Sequence, residues 1–90
     1  MNQRIEEAGK WAARDLKVAF DLGAVRQDEI YAVNQRLVRL FTDVDLGVIS
    51  PDAAEALLRQ LSLEIQFRVE LFLYAKLSAW PQPRREEYLN

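Results

Sequence analysis

From Ser50 to Trp80 the chain reads SPDAAEALLRQLSLEIQFRVELFLYAKLSAW, with no glycine and a single proline at the second position. A stretch so long and so apolar has to be central to whatever the chain folds into. Ser50 suits a helix N-cap, Pro51 the first helical position, and Asp52 and Glu55 a first turn where the helix dipole favours negative charge. Pro81 and Pro83 end it. Glu55/Arg59 and Glu64/Arg68 are acid-before-base pairs four apart, each worth about 0.3 kcal/mol in a helix.

A competing signal lies inside the same stretch. Leu61, Leu63, Ile65, Phe67, Val69 and Leu71 alternate with Ser62, Glu64, Gln66, Arg68 and Glu70, the period-two pattern of a half-buried strand. Helix is preferred because the preceding AAEALLRQL is strongly helical and no turn residue separates it from the alternating run. A strand would also need a partner strand, and the sequence offers none. As a helix, the run gives one stripe of Leu58, Leu61, Ile65, Val69 and Phe72, while Leu63, Phe67, Leu71, Tyr74 and Leu77 fall outside it. A helix apolar on more than one face is either central in its domain or covered by a second chain.

Upstream, Ile5, Ala8, Ala12, Leu16, Ala19 and Phe20 recur at spacings of three and four, predicting a first helix over 2–22. Gly9 within it marks close approach of a neighbouring helix, and Trp11, beside the stripe, is read as partly buried packing. A second helix over 27–46 has Asp28 and Glu29 in its first turn and Ile30, Val33, Leu37, Leu40, Phe41 and Val44 inward. Tyr31 and Val38 flank that stripe. Asp21-Leu22-Gly23-Ala24-Val25-Arg26-Gln27-Asp28 and Asp45-Leu46-Gly47-Val48-Ile49-Ser50-Pro51-Asp52 form a weak internal repeat, read as two copies of one helix-stop, apolar, helix-start junction. The second resembles a calcium loop only superficially, because the bidentate acid position would fall on Ala53.

Short connections imply antiparallel neighbours, so the expected fold is all-α: a three-helix up-down-up bundle with a long, strongly apolar third helix over 51–80, dimerised through it. Residues 1–80 form the single helical domain and 81–90 an extended or disordered tail. The third helix spans about 45 Å against about 30 Å for the others, so Leu71 to Trp80 is expected to overhang. Phe67, Leu71, Leu73, Tyr74, Leu77 and Trp80 are the expected interface residues. The expected partners are a second copy of the chain, as a homodimer or higher oligomer, and a larger protein.

Composition narrows the chemistry. The 90 residues contain no Cys and no His, which removes thiol chemistry, disulfides and the commonest general base and metal ligand. A net charge of −2 gives no electrostatic footprint for nucleic acid or an anionic membrane. Charges spread through the N-terminal segment argue against a secretory signal, and no window approaches the roughly 20 apolar residues of a membrane span. The chain reads as soluble and cytoplasmic. Ser50, Ser62 and Ser78 have no activating His and the three glycines do not cluster, so no enzyme activity, cofactor or metal is expected. The function that fits is a non-enzymatic interaction or assembly module that docks on or organises a larger complex. Two other readings fit less directly: a small inhibitor or immunity-type protein that blocks one target, and a bundle enclosing an apolar small molecule near Phe67, Phe72, Tyr74 and Trp80.

Overall fold

A computed structural model describes residues 3–79 of the chain. Three helices occupy most of that span: α1 over Gln3–Leu22, α2 over Gln27–Asp45 and α3 over Pro51–Ala79. The described residues contain no strand, so the alternating run is helical throughout. Trp80 and the tail at 81–90 lie outside the described residues.

The helix ends follow from local chemistry. At both junctions a glycine takes a left-handed conformation, Gly23 at φ 86° and Gly47 at φ 74°, which costs a residue without a Cβ little. Around each, the same two hydrogen bonds form. Ala24 N–H donates to the Ala19 carbonyl (2.8 Å) and Gly23 N–H to that of Phe20 (2.9 Å). Val48 N–H donates to the Asp43 carbonyl (2.8 Å) and Gly47 N–H to that of Val44 (3.0 Å). This is the Schellman closure, so the internal repeat is two uses of one turn. Ser50 Oγ accepts from Ala53 N–H at 3.1 Å and caps α3 as expected.

Two bridges between α1 and α3 set the register of the bundle. Arg4 Nη2 lies 3.1 Å from Glu55 Oε2, and Gln66 donates to Asp15 Oδ2 at 3.1 Å. Both pairs are 51 residues apart in sequence, so α1 and α3 run parallel at constant register, with α2 antiparallel to both. The buried seam uses small residues, Ala8, Ala12, Ala19 and Ala54, around Ile5, Leu16, Leu58, Leu61 and Ile65. On α2 only Leu37 is buried, while Ile30, Val33, Leu40, Phe41 and Val44 are half-buried against the core. Phe20, expected inward, is exposed instead, because it falls on the α1 flank away from Ala8 and Ala12. Tyr31 and Val38 are exposed too, so the apolar stripe of α2 stays narrow.

The overhang begins later than expected. The register levels Leu22 with Leu73, and Phe72 still packs beside the first junction, where a Cβ on Gly23 would lie 3.6 Å from its ring. Leu73–Ala79 therefore projects, by about 10 Å. Leu71 is exposed because it faces outward, at the level of Phe20.

Charges link α2 to α3 across helices. The expected Glu64/Arg68 pair is replaced by Arg36–Glu64 at 3.6 Å and Arg68–Glu29 at 2.5 Å, because both α3 residues sit on the flank that α2 covers. Glu55/Arg59 does pair within α3, at 2.8 Å. Arg68 also donates to the Ala24 carbonyl at 3.4 Å, and Arg26 N–H donates to Glu29 Oε1 at 3.2 Å. These bonds tie the first junction to α3. The Arg68 guanidinium, with help from the Arg26 amide, holds the Glu29 carboxyl below its ordinary pKa, and the same bond raises that of Arg68.

Two outcomes follow. A group whose folded pKa is depressed stabilises the fold above its unfolded pKa and loses that contribution as pH falls through the folded one. Arg68→Ala should therefore return the Glu29 titration, followed by carboxyl-edited NMR, toward the ordinary glutamate range and weaken the acid-limb pH dependence of unfolding. An unchanged Glu29 titration would show that the pair does not form in solution. At Gly9, an added Cβ would stand 2.5 Å from Phe41 Cζ. Gly9→Ala should then destabilise the chain despite gaining about 1 kcal/mol of helix propensity, and should stabilise it by about that amount in a Phe41→Ala background. Denaturant unfolding of the four variants reads the difference, and equal effects in both backgrounds would rule out the contact.

Candidate interaction surfaces

Successive residues of an α-helix turn by about 100°, so residues two apart lie on nearly opposite sides. In α3 this splits the alternating run into two faces. Leu61, Ile65 and the half-buried Val69 look into the bundle. Leu63, Phe67 and Leu71 look away from it, and Tyr74 continues their line one turn further. These outward side chains are large and wet: Leu63 is 64% exposed, Phe67 60% and Tyr74 73%. Polar residues separate the two faces, with Glu64 and Arg68 on the α2 side and Gln66 and Glu70 on the other.

The expected interface residues divide accordingly. Phe67, Leu71 and Tyr74 share the outward face beside the body of the bundle and its upper end. Leu73 and Leu77, both exposed, sit on the projecting end and lean toward the α1 flank of α3. Trp80 lies outside the described residues. No helix of the described residues is long and apolar enough to cross a membrane.

A second surface was not anticipated. On the side of the α1/α3 pair opposite α2, an open cleft of about 540 Å³ runs between the two helices, its walls including Trp11, Asp15, Glu55, Arg59, Ser62 and Leu63. Smaller depressions continue it in both directions, past Arg4 and Asp52 toward the N-terminal ends and past Val18, Val69 and Glu70 toward the first junction. Glu55 is 7% exposed, and Arg4 and Arg59 both close on it, so this buried carboxylate is compensated. Ser62 is not. It is buried at 8% exposure and its Oγ has no hydrogen-bond partner, a deficit worth about 1–3 kcal/mol.

Trp11, expected to pack partly inside, is 59% exposed at the rim of this cleft, with the Arg14 guanidinium 5.5 Å from the ring centroid. Val18 and Leu22 follow it at spacings of seven and four, both exposed. That spacing is a second, weaker apolar line on α1, legible in the sequence but masked by the stronger stripe through Ala8, Ala12 and Ala19. Nothing in the sequence marked Ser62 as buried and unpaired, since its environment comes from α1. Among the described residues no cluster of acids suits a metal ion.

No protein-family model and no solved structure matches the chain. Over 62 residues the chain is 29% identical to the GTPase Der of Clostridium perfringens, in strains SM101 and 13 among others. The match takes in 69% of this chain and 14% of that protein, so the chain spans a small fraction of the length of the curated relatives it resembles.

Proposed function

We propose that this chain is a non-enzymatic assembly module that pairs with a second copy of itself through the outward face of α3, and in that form docks on or organises a larger complex. The observation that carries the reading is the second apolar face of α3, Leu63, Phe67, Leu71 and Tyr74, with Leu73 and Leu77 exposed beside it on the projecting end. A contiguous apolar strip of this length on one helix is more than a monomeric chain this small usually leaves in water. Half-exposed side chains of this size each offer on the order of 100 Å², so the four outward residues approach roughly 400 Å² per copy, about half of what one partner buries in a standard interface. At about 25 cal/mol per Å² that is ~10 kcal/mol from each copy before association costs, and a symmetric dimer gains it twice.

The core supports the same reading. Five of its twelve buried apolar residues are alanines, whereas Phe67, Leu71 and Tyr74 lie outside it. Self-association would bury these large exposed side chains, where burial contributes most. The sequence, without Cys, His or a phosphate-cradling glycine cluster, is in keeping with a role carried by surfaces rather than by chemistry.

Light scattering over a concentration series on the full-length chain is the direct test. The wild-type chain should run as a dimer, and Phe67→Glu with Tyr74→Glu should give a monomer of unchanged helicity by circular dichroism, since neither residue is in the core. A wild-type chain that is monomeric throughout, or a dimer that survives both charges, would sink the proposal.

A further inference from the structure

The cleft between α1 and α3 is a separate surface from the outward face of α3, and its chemistry points to a different occupant. Its apolar rim is Trp11 and Val18 on α1 and Leu63 on α3. Its charged groups fall into two zones. At the end near the helix N-termini, Arg4 and Arg59 are drawn onto Glu55. From there onward the lining charges are Glu7, Asp15 and Glu70, and no ion pair engages any of them among the described residues. Asp15 accepts from Gln66 and Glu7 from Gln3, both neutral amides, so no ion pair among the described residues offsets these acids, and the Arg14 guanidinium over the Trp11 ring flanks them without pairing to them. Beneath it lies the hydroxyl of Ser62, buried and without a partner. An aromatic rim, a concave floor, unbalanced acids and an unsatisfied buried hydroxyl together describe a seat rather than a solvated face.

We infer that this cleft binds an amphipathic, basic helical segment of a partner protein, laid between α1 and α3 opposite α2 as a fourth helix. The cleft runs from Arg4 to Val18 along α1, about 21 Å, which matches a helix of roughly four turns. Apolar residues of the guest spaced at three and four would meet Trp11, Leu63 and Val18, and its Lys or Arg residues would face Glu7, Asp15 and Glu70. A polar guest side chain entering the centre would give Ser62 the partner it lacks. Charge favours a basic helix over a second copy: a second copy brings its own Glu7, Asp15 and Glu70 along with Arg4 and Arg59, whereas a basic helix brings cations alone. The inference does not depend on self-association through α3.

The probe is an 18-residue helix of leucine and lysine in amphipathic order, titrated into the full-length chain carrying Trp80→Phe, so that Trp11 is the sole indole reporter. Binding should shift Trp11 emission to the blue and weaken with added salt. A leucine/glutamate helix of the same pattern and a scrambled leucine/lysine sequence should not bind. Glu7→Gln, Asp15→Asn and Glu70→Gln together should reduce affinity roughly tenfold or more, whereas Glu6→Gln, Asp21→Asn and Asp45→Asn, which remove as much charge outside the cleft, should leave it nearly unchanged. Phe67→Ala with Tyr74→Ala should also retain binding. Equal loss in the two acid sets would mean unspecific attraction and overturn the inference, as would full affinity in the cleft variant or loss only in the α3 variant. A Trp11 emission that shifts with chain concentration alone would assign the cleft to a second copy, which also overturns it.

Discussion

Residues two apart on an α-helix point in nearly opposite directions, and α3 carries an apolar residue at every second position from Leu61 to Leu71. No single neighbour can cover both sets. α1 takes the inner set through Ile5, Ala8, Ala12, Leu16 and Ala19, and α2 takes the flank that carries Glu64 and Arg68. With two helices spent, the described residues hold no further helix for the outward set or for the other flank. The outward apolar face and the α1/α3 cleft are thus two consequences of one pattern, a helix apolar on more sides than the other two described helices cover.

Small residues at the seam deepen that shortage. Alanines at positions 8, 12, 19 and 54 let α1 and α3 lie close together, which serves packing density but leaves little volume to fill. Only Ile5 and Leu58 are large side chains that are fully buried. A core of this kind rests on few large contacts, so burial gained from a partner would be a substantial share of the total. Such a core also explains why the polar links are placed where they are: Arg68, Glu29 and the Ala24 carbonyl fasten the first junction to α3 at the height where the bundle ends and the projection begins.

What the sequence made legible was whatever is encoded locally. Gly23, Gly47 and Ser50 mark helix ends because left-handed backbone and N-cap geometry depend on the residue at that position and its immediate neighbours. Helix number, order and boundaries follow from them. The period-two run was ambiguous because six alternating residues satisfy a strand template and a two-faced helix equally; the helical sequence before it decided the matter. What stayed hidden depends on the rotation and register of whole helices. Glu64 and Arg68 are well spaced to pair with each other, yet each finds a partner on α2, because the flank they share is the one α2 covers. Phe20 belongs to the right periodicity but lies off the axis of the seam. The overhang was placed too early because its start is set by the constant offset between α1 and α3, which only the Arg4–Glu55 and Asp15–Gln66 bridges reveal.

That α2 lies on one side of the α1/α3 pair and not the other also has a local cause. On the α2 side, α1 presents Gly9, and the absence of a Cβ there admits the Phe41 ring, which no larger residue would allow without displacement. On the opposite side α1 presents Trp11 and Asp15, and α3 answers with Ser62, Leu63 and Gln66. A helix of this chain settling there would have to bury Asp15 and pass its bulk beside an indole. A guest helix with cations opposite Glu7, Asp15 and Glu70 meets neither obstacle, because the charge is answered and the indole becomes contact area.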